Sequence, residues 1–188
     1  MFLPLANNMI GQYVVKNLLL LLLYKYIKRR LNIMSTYRVF GRGETHFFDP
    51  DSYHDIITYI TDPQKAAFTG GCNVSGIETA AAEMQQVAKG FGKDCGRRVR
   101  HSELSFSECE TVTPEMANEY AQYIIEHYAP EYQIVYAVHT NTDHLHIHFA
   151  MNQISFVDGH RYQGKKDDYY RFMAHIRSVT HLVVIPVK

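Results

Sequence analysis

Three histidines close together in the chain are the residues best suited to chemistry. His139, His146 and His148 fall within ten residues of each other, in a segment that otherwise has the pattern of β-strands. Because alternate residues of a strand point to the same face, His146 and His148 project together. A turn over 140–143 would bring His139, at the end of the preceding strand, beside that pair. Three converging imidazoles are suited to bind a divalent metal ion.

The residues around this cluster bear on what it would bind and how. All-imidazole ligation suits zinc, manganese, nickel or cobalt better than magnesium, because nitrogen is a softer donor than oxygen. No further Cys or His outside this segment is close enough in sequence to complete the site, and within the segment His144 is an alternative ligand. Asn141 and Asp143 are candidates to orient an imidazole through its other nitrogen. The competing interpretation is that the histidines only line a polar sheet surface.

The composition is that of one soluble domain with a substantial core. The chain has 188 residues, among them 14 tyrosines and no tryptophan. Its three cysteines, Cys72, Cys95 and Cys109, are odd in number and their spacing fits no metal-binding pattern. We therefore expect reduced thiols in a cytoplasmic protein.

The charges are unevenly distributed along the chain. Residues 1–33 contain five Lys or Arg and no acidic residue, which leaves 14 basic and 19 acidic residues in the remainder. A domain with a net charge of −5 is not an obvious nucleic-acid binder. Any contact with a polyanion must then be local, through a metal ion or a basic patch.

Residues 1–33 are unlike the rest of the chain. The leucine run Leu18–Leu23 is flanked by Lys16 and Lys25, so its apolar stretch is too short for a membrane helix. The features of a secretory signal are missing as well. We expect translation to start at Met34, which would make residues 1–33 an upstream extension and 34–188 the domain. Association with an anionic membrane surface is the alternative.

Periodicity and helix-start signals predict an α+β fold. It has a mainly antiparallel sheet of about five strands, with the helices collected on one side. Asp62-Pro63 ends the first helix, and Thr113-Pro114 begins the third. The predicted strands are 37–41, 100–107, 132–139, the histidine strand, and a hairpin of 151–157 with 160–163. The predicted helices are 53–60, 77–89, 114–128 and 169–180, the last capped by Asp167 or Asp168, and 70–76 is predicted to be a loop.

Three segments, in this order, resemble motifs of the conjugative relaxases. These are mobilisation nucleases of the His-hydrophobic-His endonuclease superfamily, here in the branch that uses a tyrosine, and the likeness covers about residues 54–182. The segments are Tyr59-Ile-Thr-Asp-Pro-Gln-Lys65, then Leu104-Ser-Phe106 followed by Thr113-Pro-Glu115, and then His139 through Asn152. The resemblance implies that Tyr59 is the nucleophile and that His139, His146 and His148 are metal ligands. It implies manganese or magnesium as the working ion, with zinc, nickel or cobalt as alternatives.

The activity that the resemblance implies is site- and strand-specific nicking at a DNA transfer origin. The tyrosine oxygen attacks the phosphate, which gives a 5′-phosphotyrosyl link and a free 3′-hydroxyl, while the metal neutralises developing charge. The implied partners are single-stranded DNA, accessory transfer proteins and a coupling protein. Without the motif, a tyrosine in the last turn of a helix is usually a packing residue, and Tyr53 on the same helix is the alternative nucleophile.

Two basic clusters are candidates for DNA contact. Lys and Arg side chains bind phosphates, and nearby aromatic rings stack on single-stranded bases. The competing interpretation is an ordinary solvated surface. The candidates are Arg97, Arg98 and Arg100 in the first cluster, and Lys165, Lys166 and Arg171, close to Tyr162, Tyr169 and Tyr170, in the second.

Two departures from the family pattern leave other functions open. Asn141 stands where relatives usually have Asp, and an amide cannot act as a base. The chain also ends soon after the last predicted helix, where relatives tend to continue, so part of the DNA-binding surface is expected to be missing. The alternative is a catalytically impaired remnant that binds single-stranded DNA and metal. A rolling-circle initiator or transposase is disfavoured because Tyr59 precedes the histidines, and an unrelated histidine-metal hydrolase is a further alternative.

Overall fold

The computed structural model describes residues 34–41 and 47–187, so the predicted extension 1–33 lies outside the described residues. Within the described ranges no helix is long and apolar enough to span a membrane. The strands are β1 Ser35–Val39, β2 Ala66–Cys72, β3 Val99–Ser105, β4 Ile134–His139, β5 His146–Asn152 and β6 Val184–Val187. The helices are α1 Ser52–Ile60, α2 Ile77–Gly90, α3 Pro114–Ile125 and α4 Lys166–Thr180.

The six strands form one sheet in the order β2-β4-β5-β3-β1-β6. All neighbouring pairs are antiparallel except β1 and β6, which are parallel. The predicted α+β class with a mainly antiparallel sheet is therefore confirmed, with one strand more than expected. The histidine strands β4 and β5 lie inside the sheet, so their backbones are paired on both sides.

Helices cover both faces of the sheet, and the prediction that they collect on one side was wrong. Helices α3 and α4 cover one face, where Ile147 and Phe149 of β5 point into the core. Helices α1 and α2 cover the other face, where Val135 and Ala137 of β4 point into the core. Strands β4 and β5 are buried on both faces, but only the face toward α3 and α4 is apolar or aromatic throughout, because the other face contains the histidines. The result is a three-layer domain whose histidine face lies under α1.

Strand β2 was missed, because its two glycines were read as part of a loop over 70–76. Gly70 and Gly71 instead belong to the strand and pair with Tyr136 and Val135 of β4. A Cβ added at Gly70 would lie 2.5 Å from the hydroxyl oxygen of Tyr136. Glycine is therefore needed at position 70 because a neighbouring side chain crosses over its backbone.

The C-terminal part of the domain also differs from the prediction. The expected hairpin over 151–163 is reduced to a single bridge between Ile154 and Arg161. Helix α4 has Lys165 at its N-cap position, so Asp167 and Asp168 lie in its first turn rather than capping it. In that position their charges still interact favourably with the helix dipole. The apolar tail adds the parallel edge strand β6 beside β1.

Candidate active site

The register of β4 and β5 brings the three predicted histidines together. His139 lies directly opposite His146, and His148 lies opposite Ala137 on the same face of the sheet. All three side chains are buried, and one possible ligand atom from each lies within 4.8 Å of the others. The sheet therefore gathers three imidazoles at one point beneath α1.

Backbone carbonyls determine which nitrogen two of these imidazoles can offer. His139 Nε2 lies 2.6 Å from the carbonyl oxygen of Ile60, and His146 Nδ1 lies 2.8 Å from that of His144. A carbonyl oxygen only accepts hydrogen bonds, so both nitrogens must carry the hydrogen. In the neutral rings, Nδ1 of His139 and Nε2 of His146 keep the lone pair that a metal requires.

Burial favours the neutral form of two of these rings, His139 and His148. Desolvation, followed by repulsion from neighbouring imidazoles, lowers the pKa of His148 to about 2. Desolvation also lowers the pKa of His139, although the hydrogen bond to Ile60 opposes the shift. Because a metal binds neutral imidazole rather than imidazolium, the residues present fit a divalent ion with nitrogen ligands.

Helix α1 places Tyr59 beside the histidines. Its apolar face, formed by Tyr53, Ile56, Ile57 and Ile60, is buried against α2 and the sheet. Tyr59 lies off this face in the last helical turn, and its side chain is 48% exposed. The centroid of its ring is 5.8 Å from that of His148. The hydroxyl-bearing side chain thus reaches solvent while its ring borders the imidazoles.

A lysine also lies close to the tyrosine ring. Lys65 Nζ is 4.5 Å from the ring centroid of Tyr59 and 3.1 Å from Asp62 Oδ2. The backbone carbonyl of Lys65 accepts a hydrogen bond from Thr140 N at 3.1 Å, which joins this segment to the end of β4. A cation next to an exposed phenol and a cluster of histidines is suited to attract a phosphate group.

A fourth histidine, His101 of β3, was missed by sequence reasoning. It is 4% exposed, and its Nε2 lies 3.0 Å from His148 Nδ1. Glu103, on the same face of β3, has Oε2 3.8 Å from His148 Nε2. The alternation of His101 and Glu103 in β3 was visible in the sequence, but their proximity to the cluster depends on β3 pairing with β5, which is far away along the chain.

The other predicted site residues occupy less direct positions. The alternative nucleophile Tyr53 is only 2% exposed, and burial raises its pKa to about 12. Asn141 and Asp143 are exposed in the turn between β4 and β5. The contacts that this turn makes to His146 come from Thr142 Oγ1, at 3.4 Å, and from the carbonyl oxygen of His144.

The predicted DNA-binding residues do not form one surface. Arg98 pairs with Asp94 at 2.8 Å and is buried. Arg100 is 6% exposed and stacks on the rings of Tyr128, Tyr162 and Phe172, on the face of the sheet opposite the histidines. Both side chains are thus engaged inside the protein, which disfavours direct contact with DNA. Lys165, Lys166 and Arg171 are exposed at or near the start of α4, and Arg97 is partly buried and donates to the carbonyl oxygen of Phe40 at 2.8 Å.

Comparison with known protein families shows a match to a relaxase family. Residues 59–181 match the family described as "Relaxase: MobA/VirD2-like, nuclease domain". The match begins at the exposed tyrosine and includes all four histidines described above. No solved structure matches the chain.

Relatives from two bacteria are similar to this chain. It is 31% identical over 90 residues to "Protein rlx" of Staphylococcus aureus, covering 48% of the chain and 28% of that protein. It is 25% identical over 144 residues to "Group II intron-interrupted relaxase LtrB" of Lactococcus lactis subsp. cremoris (strain MG1363), covering 76% of the chain and 24% of that protein. The matched region is therefore less than a third of each relative.

Proposed function

The chain belongs to the MobA/VirD2-like relaxases, and from this premise we propose that it nicks DNA at a transfer origin through a covalent link to Tyr59. The nick would be specific for one site and one strand, and it would start the mobilisation of a plasmid or an integrative element. The observation that carries the proposal is the position of Tyr59, partly exposed and 5.8 Å from the ring of His148.

The reaction that we propose exchanges one ester bond for another. The hydroxyl oxygen of Tyr59 attacks the scissile phosphorus in line with the bond to the 3′-oxygen. The new phosphorus–oxygen bond forms to Tyr59, the bond to the 3′-oxygen breaks, and the 3′-oxygen leaves as a hydroxyl. The proton lost by the tyrosine passes to solvent, and solvent supplies the proton that the leaving oxygen takes up. Because no net ester is lost, the 5′-phosphotyrosyl link can later be resealed.

The three imidazoles would hold the divalent ion that this reaction needs. When bound, the ion supplies positive charge that stabilises the phosphoryl transition state. His139 and His146 would present Nδ1 and Nε2 respectively, because carbonyl oxygens occupy their other nitrogens. Manganese or magnesium is the ion proposed for the reaction in the cell, while zinc, nickel and cobalt also suit nitrogen ligands.

The substrate that fits the surroundings of Tyr59 is single-stranded DNA. The tyrosine lies in an open depression lined by His54, Asp55, Thr58, Asp62 and Lys65, which an unpaired strand can enter. Lys65 is the cation closest to the tyrosine ring among the contacts described. Lys165, Lys166, Arg171 and Arg97 remain candidates for contacting more distant phosphates, and accessory transfer proteins and a coupling protein remain proposed partners.

A covalent adduct is the test of this function. The protein is incubated with Mn²⁺ and single-stranded oligonucleotides of random sequence, labelled at either the 3′ or the 5′ end. We expect a denaturation-resistant adduct that carries the 3′ label only, because the enzyme keeps the 5′-phosphate of the downstream fragment. Sequencing of the trapped DNA then gives the cut site. Tyr59→Phe should abolish the adduct.

A second exposed tyrosine, Tyr123, provides the matched control. Tyr123 on α3 is 57% exposed and lies on the other face of the sheet, so Tyr123→Phe should form as much adduct as the natural chain. An adduct that survives Tyr59→Phe would assign the nucleophile elsewhere. Binding of DNA and metal without any adduct would contradict the nickase and support a catalytically impaired remnant.

A further inference from the structure

We propose that His101 is a positioning residue for the metal site, which sets the hydrogen on His148 so that His148 Nε2 is free to bind the ion. The proposal rests on the proposed metal site of the nickase. It is carried by the buried contact between two imidazoles from neighbouring strands, with His101 Nε2 3.0 Å from His148 Nδ1.

The direction of this hydrogen bond determines whether His148 can be a ligand. Neutral imidazole has one N–H and one lone pair, and the two ring nitrogens cannot both donate. If His101 Nε2 accepts, the hydrogen lies on His148 Nδ1 and the lone pair lies on Nε2. If His101 Nε2 donates instead, His148 carries its hydrogen on Nε2, where it blocks an ion. A ligand histidine normally donates its second N–H to an acceptor in this way.

The surroundings hold His101 in the place that this role requires. Its ring stacks on Phe40 with centroids 4.2 Å apart and planes at 19°, and it meets Phe47 edge to face at 6.0 Å. The β3–β5 register sets His101 opposite Ala150, diagonally across from His148 on the same face. The pairing of β3 with β5 and the contacts with Phe40 and Phe47 thus hold the His101 ring in place.

His101 completes a pattern in which every ligand has its own acceptor. His139 donates to the carbonyl oxygen of Ile60, and His146 donates to that of His144. His148 lies inside the sheet, where the backbone is used in strand pairing, so its acceptor comes from a side chain of the next strand. A side chain can be exchanged by mutation while a carbonyl cannot, which makes this the one of the three contacts that can be tested directly.

Four forms of the full chain would test the role by titration with Co²⁺. The visible d–d absorption of bound Co²⁺ reports both affinity and geometry. His101→Phe keeps the stack on Phe40 but has no acceptor, and we expect its Co²⁺ affinity to fall about 10–100-fold with an altered spectrum. His101→Gln places its amide oxygen near the former Nε2, so it should regain most of the affinity and the natural spectrum. His101→Asn has the same amide group on a side chain that is one carbon shorter, and it should bind Co²⁺ as weakly as His101→Phe does.

Thermal unfolding of the chelator-treated variants separates positioning from folding. The role requires the Gln and Asn forms to unfold at similar temperatures while they differ in Co²⁺ affinity. If His101→Phe fails to fold, the Gln and Asn pair still decides the result. The proposal would be overturned if the Phe or Asn variant kept the natural Co²⁺ affinity and spectrum. It would also be overturned if the Gln and Asn variants bound Co²⁺ equally weakly, or if the natural chain bound no Co²⁺.

Failure of this proposal can be told apart from failure of the nickase. A Co²⁺ site that depends on His101, in a chain that forms no DNA adduct, keeps the positioning role and contradicts nicking. If the adduct depends on Tyr59 but Co²⁺ binding does not change in the His101 variants, the nickase is supported and the positioning role of His101 is contradicted.

Discussion

The ring of Tyr59 meets the ring of His148 edge to face, with the centroids 5.8 Å apart and the planes at 70°. The first residue belongs to the end of α1, and the second to a strand in the middle of the sheet. Aromatic pairs prefer this edge-to-face geometry. The contact therefore fixes the tyrosine ring beside the clustered imidazoles while nearly half of its side chain stays open to solvent.

Two tyrosines on α1 should respond in opposite ways to loss of the hydroxyl. Tyr53 donates to Asn152 Oδ1 at 3.3 Å inside the core, so Tyr53→Phe should lower the free energy of unfolding by about 1 kcal/mol. It should leave the DNA adduct intact. Tyr59→Phe should change the free energy of unfolding by less than about 0.5 kcal/mol and remove the adduct. Urea unfolding combined with the adduct assay checks both, and a folded Tyr53→Phe protein without adduct would reassign the nucleophile.

The metal-free protein should lose stability in acid because of His148. Its folded pKa is lowered to about 2, below the ordinary value of about 6.5, so the unfolded chain binds the proton first as pH falls. This contribution is fully present above about pH 7 and is lost progressively as pH falls below about 6.5. Urea unfolding of chelator-treated protein between about pH 7 and pH 5 measures the slope, because the histidine titrates across that range in the unfolded state.

Two variants identify the source of that slope. His148→Gln removes the buried imidazole and should make the free energy of unfolding less dependent on pH. His54, exposed on α1, provides the control, and His54→Gln should leave the slope as it is. If the free energy of unfolding depends on pH equally in the natural protein and both variants, His148 does not cause the loss of stability in acid.

Arg100 should act on stability and not on DNA binding. Its guanidinium stacks on Tyr128, Tyr162 and Phe172, and such a desolvated contact contributes on the order of 2 kcal/mol. We expect Arg100→Met to lower the unfolding midpoint while the salt dependence of binding to labelled oligothymidylate stays unchanged. Fluorescence anisotropy at several salt concentrations measures that dependence.

Lys166 is the matched comparison for Arg100. It is exposed in the first turn of α4, and Lys166→Gln should leave stability unchanged. If Lys166 contacts a phosphate, the slope of log affinity against log salt should become less steep by about 0.7. A smaller slope in Arg100→Met without loss of stability would restore Arg100 as a DNA contact.

Gly70 should be far less tolerant of substitution than Gly90. A methyl group at position 70 would lie 2.5 Å from the hydroxyl of Tyr136, whereas position 90, at the end of α2, has no atom within 4 Å. Gly70→Ala should cost about 1–3 kcal/mol through overpacking. Gly90→Ala should be neutral or stabilise by up to about 1 kcal/mol. Urea unfolding gives both values, and a benign Gly70→Ala would show that β2 can move away from Tyr136.

The residues that could be predicted from sequence are those whose geometry is local. His146 and His148 share a face because strands alternate, and His139 joins them across a short turn. For the three histidines the distance along the chain is short, so local periodicity was enough to predict that they would be near each other. Tyr59 lies far upstream of them, and only the resemblance to the relaxases implied that it acts at the same site.

The features that were missed depend on contacts between distant segments. His101 becomes part of the cluster only when β3 pairs with β5, and periodicity does not identify which strands are neighbours. Strand β2 was missed because its glycines indicate a loop, whereas Gly70 lies under the Tyr136 side chain and Gly71 lies close to the backbone of Ile134. Arg100 was assigned to DNA contact because its charge was visible in the sequence, whereas the three rings that enclose it come from separate parts of the chain.

The β4–β5 hairpin contains His139, His146 and His148 in one continuous segment. All three proposed ligands therefore come together once these two sequence neighbours have paired, without a contribution from a distant strand. An ion bound at that stage would cross-link the hairpin and remove conformations from the unfolded ensemble, as other cross-links do. The folding rate of this domain should accordingly rise with metal concentration, which would make the ion an aid to assembly as well as to chemistry.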